Sequence, residues 1–282
     1  MEELPLVAGV DGSPGSLQAV DWAVDEARRH SRELRLVHAS LWERYEGVVS
    51  SDDPDRPSEQ TAAEEVVATA VERARRRDPG VRVSSDVIPD EATHVLLGEA
   101  HRAFAVVTGA RGRGGLAGLL LGSVALTVAA RAHGPVIVVR GDKAGLAGTH
   151  ERILLGAADP EIAREATRFA FREAEARGCV LDVVRAWRRP ARPAAEDHDE
   201  RASALLDALV HEATADHPDV RVRSATVEGP ARTVLLDRSA AADLVIIGTR
   251  QRSGRFGLQF GRVGHTLLHH AHCPVAVVPQ LE

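Results

Sequence analysis

Apolar residues along the chain gather in short runs, with amphipathic stretches between them. In the first half, residues 5–10, 34–39, 81–88, 104–109 and 135–139 read as strands. Helical periodicity fills roughly 14–30, 58–77, 91–101 and 123–132. Strands alternating with helices predict a parallel sheet covered on both faces, wound by right-handed crossovers. Ligands of such sheets bind beyond the carboxyl ends of the strands, where the strand order reverses. The ends of the first and fourth strands therefore carry the candidate site. They are Gly9-Val10-Asp11-Gly12 and the glycine-rich stretch after Thr108.

The same pattern returns in the second half. Val106-Val107-Thr108-Gly109 matches Val245-Ile246-Ile247-Gly248, and Ala132-His133-Gly134-Pro135-Val136 matches Ala271-His272-Cys273-Pro274-Val275, both 139 positions on. Leu6-Val7-Ala8-Gly9 matches Ile153-Leu154-Leu155-Gly156, and Trp22 matches Phe169, at an offset of 147. Trp22 and Phe169 fall on apolar helix faces and are expected in the cores. A duplicated unit must be recognised before any fold is assigned. The fold expected is α/β: two tandem doubly wound domains, each a five-stranded parallel sheet with helices on both faces. The domains are expected at residues 1–141 and 151–282, joined through the small-residue stretch Gly141–Glu151.

Composition narrows the chemistry. The 282 residues suit two domains and carry a formal charge of −6, against a nucleic-acid partner held by bulk positive charge. No apolar run reaches the roughly 18 residues of a membrane span, so no membrane partner is expected. Met1-Glu2-Glu3 lacks the basic and apolar regions of a signal peptide. Two cysteines, Cys179 and Cys273, form no disulfide framework, and a cytoplasmic location is the simple expectation. Lys143 is the sole lysine and is followed by Ala144, so there is no Gly-Lys-Ser/Thr phosphate loop. It sits in Gly141-Asp142-Lys143-Ala144-Gly145, expected to be an exposed linker, which also speaks against Schiff-base chemistry.

The stretch from Gly109 to Ser123 leaves a strand and ends where a helix begins. Glycines permit positive φ and close backbone approach, so that several N–H groups can converge on an anion. A helix start near Ser123 adds unpaired N–H groups and the positive dipole end. No acid lies between Glu99 and Asp142, whereas Arg102, Arg111, Arg113, Arg131 and Arg140 do. A dinucleotide reading of Gly112-Arg113-Gly114-Gly115-Leu116-Ala117 fails, because the motif follows the fourth strand and no ribose-binding acid follows it. For Asp11 the competing role is that of a helix N-cap.

With Gly109, Gly112, Gly122 and Ser123, the chain carries Gly-x2-Gly-x9-Gly-Ser in full. Together with Val10-Asp11-Gly12-Ser13 and Gly134-Pro135-Val136-Ile137-Val138-Val139, this resembles the ATP-binding universal stress proteins, in tandem form. The resemblance implies an adenine nucleotide alpha hydrolase-like fold. It implies that Asp11 faces the ribose, that the main chain around Gly9, Val10 and Ala39 contacts the adenosine, and that Gly109, Arg111, Gly112, Gly122, Ser123 and Val124 hold the phosphates. ATP, with or without magnesium, is the implied ligand. A protein partner of unknown identity and a homodimer are further expectations. Members of the family pair through their last strand, here residues 135–139 or 274–278, and in tandem chains the two halves can make that pairing internally.

The second half departs from the motif. Gln251 stands for the second glycine, Arg262 for the serine and Ala158 for Asp11. A degenerate site is expected there, kept cationic by Arg250, Arg252, Arg255 and Arg262. His265 and His269 have the i, i+4 spacing of zinc ligands, but no acid lies near to orient them, so no metal is expected. Neither a Ser-Gly-Gly-x-Asp-Ser loop nor a His-x-Gly-His motif occurs, which turns expectation from an enzyme towards an ATP-binding regulatory protein without fast catalysis. The alternative is an ATP-using enzyme: a slow ATPase, or an adenylyl or phosphoryl transferase.

Overall fold

The structure is a computed structural model that describes residues 3–41, 59–112, 121–188, 198–250 and 261–280. It divides into two units, residues 1–139 and 140–282. The first contains β1 (Leu6–Gly9), α1 (Pro14–Arg29), β2 (Leu34–Ala39), α2 (Glu59–Arg77), β3 (Val83–Ile88), α3 (Ala92–Glu99), β4 (Ala105–Gly109), α4 (Ser123–Arg131) and β5 (Val136–Val139). The second contains α5 (Lys143–Ala147), β6 (Arg152–Gly156), α6 (Pro160–Arg177), β7 (Val180–Trp187), α7 (His198–Asp216), β8 (Arg221–Glu228), α8 (Ala231–Ser239), β9 (Leu244–Thr249), α9 (Arg262–His270) and β10 (Val275–Pro279). Among the described residues, no helix is long and apolar enough to cross a membrane.

Each unit is the doubly wound layer expected. The first has the order β3-β2-β1-β4-β5 and the second β8-β7-β6-β9-β10, with every strand pair inside a unit parallel. In the first unit α1 and α2 cover one face and α3 and α4 the other. The centre of each sheet is buried on both sides, which is why β1, β4, β6 and β9 read as mainly apolar runs rather than alternating ones. The outer strands β3 and β8 carry polar, partly exposed residues. Trp22 and Phe169 are buried in their respective cores, as the helical pattern requires.

Local chemistry fixes the ends of the helices. Ser13 is the N-cap of α1: its Oγ accepts a hydrogen bond from the Ser16 N–H at 3.2 Å, and Pro14 follows at the first helical position. Asp11 is therefore not the cap. α6 closes on Gly178 in the left-handed conformation, φ 61°. Asp21 and Asp25, one turn apart on α1, each take a paired hydrogen bond from Arg73 and Arg77 on α2. Removing the Ser13 hydroxyl in Ser13→Ala is expected to cost about 1 kcal/mol. Thermal unfolding followed by circular dichroism checks this, and an unchanged midpoint would mean that the cap carries no stability.

The stretch expected as a linker is ordered. Asp142 caps α5 through a 2.9 Å bond from the Gly145 N–H, and Gly148 ends that helix with φ 69°. Arg140 donates to the Ala271 carbonyl at 3.0 Å and also to that of Leu268, satisfying the end of α9. The Asp142 N–H donates to the His272 carbonyl at 2.9 Å. Gly141, at φ 114°, has His272 and Cys273 where a side chain would stand. Lys143 is exposed on this short helix. Cys179 and Cys273 are both buried and unpaired, and burial pushes both thiols above their ordinary pKa.

Candidate functional site

In the first unit β1 and β4 lie side by side at the point where the crossovers part to opposite sides, so their carboxyl ends open a crevice. A cleft of about 370 Å³ fills it. Gly9, Val10, Asp11 and Ala39 form one side. Gly109, Arg111 and Gly112, with Gly122, Ser123 and Val124, form another. All ten residues singled out from sequence thus line one cavity, although they come from four separate stretches of chain. The rest of the loop, including Arg113, lies outside the described residues.

Backbone approach accounts for the glycines better than backbone conformation does. Gly109, Gly112 and Gly122 do not have the positive φ expected of loop glycines. A Cβ on Gly109 would lie 2.5 Å from the Gly15 carbonyl oxygen and 2.9 Å from the Ser16 nitrogen. Gly15 in turn has the Arg111 carbonyl oxygen 2.5 Å from its own Cβ position. These glycines let the start of α1 press against the end of β4. Gly112 differs, since its Cβ would overlap Asp11 Oδ2. The Gly122 N–H donates to the Ala110 carbonyl at 2.8 Å, joining the two described ends of the loop.

Asp11 is held from two sides. Its Oδ1 accepts from the Ser13 N–H at 2.9 Å, and its own N–H donates to Ser16 Oγ at 3.3 Å. It is the one carboxylate lining the cleft among the described residues. Ser123 is exposed at the first turn of α4, whose N-cap Gly122 offers no side chain to the helix N–H groups. Those amides lack intrahelical acceptors and carry the positive end of the helix dipole. Arg111 is exposed beside them. The cleft therefore joins an anion-attracting end to a carboxylate.

Sequence reasoning missed the other walls. Ala92, Val95 and Leu96 of α3 form an apolar side of the cleft, with Leu96 lying over Gly9. On β2, His38 is buried, with Nδ1 2.7 Å from the Val10 carbonyl oxygen. A carbonyl only accepts, so Nδ1 carries the proton and fixes the direction of the β1 end. A histidine and a threonine inside otherwise apolar strands were the signals available.

The second unit has a corresponding cleft of about 720 Å³, lined by Gly156, Ala158, Asp159, Gly248, Arg250 and Gly261 among others. Arg185 stands where His38 stands in the first unit, one residue beyond the strand pairs Gly9–Val37 and Gly156–Val184. It donates to the Ala158 carbonyl at 2.7 Å and to Asp159 at 2.8 Å. Arg250 pairs with Glu161. Two arginines of this cleft are thus engaged by acids. Gln251, Arg252 and Arg255 lie outside the described residues. His265 and His269 stack with ring centres 4.3 Å apart. Burial first, then His265 and His270, holds His269 below the usual imidazole range. No three metal-ligating side chains gather around α9 among the described residues.

The model of the universal stress protein family matches residues 5–140 and again 149–279. The chain belongs to the universal stress protein family. A universal stress protein of Mycolicibacterium smegmatis is 30% identical over 290 residues, spanning 98% of this chain and 97% of that one. One of Mycobacterium tuberculosis is 32% identical over 296 residues, with 98% and 97% covered. A solved universal stress protein from Archaeoglobus fulgidus shares the fold across 98% of both chains, with a TM-score of 0.74 at 17% identity. Two universal stress protein repeats therefore account for nearly the whole chain.

Proposed function

We propose that this tandem universal stress protein binds ATP in its first unit and acts as a nucleotide-dependent regulator without fast catalysis. One observation carries the reading: residues 9–11, 39, 109, 111, 112 and 122–124, far apart in sequence, converge on one cleft at the strand switch point. Its parts suit the ligand. The α3 wall takes an apolar base, Asp11 a ribose hydroxyl, and the α4 N-terminus with Gly112 and Arg111 a polyphosphate. Magnesium, bound mainly through phosphate oxygens, needs only one or two carboxylates from the protein, and Asp11 is the carboxylate on the described wall of this cleft. An ATP-using enzyme remains the competing reading, and a turnover assay separates the two.

Nucleotide location is tested by hydrogen exchange with and without ATP. Added protection is expected at Gly9–Asp11, Gly109–Gly112 and Gly122–Val124. Protection confined to Gly248–Arg250 and Gly261–Gly264 would overturn the assignment to the first unit.

A further inference from the structure

We propose that the Thr108 hydroxyl is a recognition contact for the nucleoside end of the ligand, an inference that rests on ATP binding in the first cleft. Thr108 is 5% exposed, lines the cleft, and among the described residues its Oγ1 is buried without a hydrogen-bond partner. A buried hydroxyl left unsatisfied costs free energy, so a group on the cleft wall that lacks a protein partner gains from one that a ligand brings.

Register places the group. Extending the pairs Val7–Val106 and Ala8–Val107 by one step sets Thr108 beside Gly9. In a sheet, such neighbours project to the same face. At Gly9 that face is the one under α3, because a Cβ there would lie 3.0 Å from a Leu96 methyl. The second unit repeats the arrangement with Ile247, whose Cγ2 lies 3.3 Å from the Cβ position of Gly156. The anion-attracting groups, Arg111, Gly112 and the start of α4, all follow the chain's exit from the sheet. Thr108 lies before that exit, among the apolar residues of the base wall. A hydroxyl there both donates and accepts, and so can meet a ring nitrogen, an exocyclic amine or a sugar oxygen. Ile247 offers the second cleft no such contact.

Thr108→Val keeps the shape and removes the hydroxyl. Calorimetry on the full chain is expected to show ATP and adenosine affinities lowered alike, roughly three- to tenfold. Competition by inorganic tripolyphosphate should not change, and Thr108→Ser should restore binding. Without nucleotide, the melting temperature of Thr108→Val should equal or exceed that of the wild type, since an unsatisfied group has been removed. Unaltered ATP and adenosine affinities would overturn the inference. So would weakened tripolyphosphate binding with adenosine unaffected, or a lowered melting temperature without ligand. Failure of the wild-type protein to bind ATP at all would instead overturn the function proposed above, and this contact with it.

Discussion

Gly112→Gln is expected to lower ATP affinity by about tenfold or more while the fold stands. Glutamine is what the second unit carries at the equivalent position 251. The cost comes from contact, because Gly112 is outside the left-handed region and its Cβ would overlap the Asp11 carboxylate. Asp11 must then rotate, giving up its bond to the Ser13 N–H and its place on the cleft wall. A ligand group that loses its hydrogen-bonding partner costs about 1–3 kcal/mol, and 1.4 kcal/mol is a factor of ten in affinity. Titration calorimetry measures the loss. A double variant adds a sharper test, since residues in contact do not contribute independently. With Asp11→Ala in place, Gly112→Gln should cost little further. Full affinity in the single variant would remove Gly112 from the binding wall.

Gly109→Ala and Gly248→Ala should each destabilise their own unit by about 1–3 kcal/mol. In the first unit the new methyl meets the Gly15 carbonyl oxygen at 2.5 Å. In the second it meets the Ile162 carbonyl oxygen, again at the start of the helix that follows the first strand of that unit. Neither obstacle is the tip of a flexible side chain, so helix and strand must separate. Thermal or urea unfolding reads the effect. Gly248→Ala matters most, because that unit departs from the nucleotide motif. If both glycines hold helix against strand, both variants lose stability. A first-unit variant with lowered ATP affinity and unaltered unfolding would instead assign Gly109 to ligand approach alone.

These two glycines show how far sequence reasoning reaches. Spacing placed Gly109, Gly112, Gly122 and Ser123 around one cleft, because a motif of fixed length after a strand leaves the chain few routes. Spacing could not separate a glycine cleared for a ligand from one cleared for a neighbouring helix. That distinction depends on which backbone passes nearby. Strand periodicity was equally legible: expected strands at 34–39 and 104–109 are observed at Leu34–Ala39 and Ala105–Gly109. The α3 wall was not legible as part of the site. Val95 and Leu96 look like any apolar helix face until the sheet order brings that face over Gly9. Arg185 was missed for a similar reason, since its bond to Asp159 spans 26 positions and depends on strand register.

The short helix after β5 has a practical consequence for labelling and cleavage. Lys143 is the one lysine of the sequence, and it stands exposed on α5. Amine-directed dyes should therefore mark a single side chain besides the N-terminus. A lysine-specific protease has one target bond. That bond lies in a capped helix, and proteases need a locally opened backbone, so cutting should be slow under native conditions. Once made, the cut parts Arg140 and Asp142 from the polypeptide whose Ala271 and His272 carbonyls they satisfy. The time course of a single nick thus becomes a gauge of how often the start of the second unit comes undone.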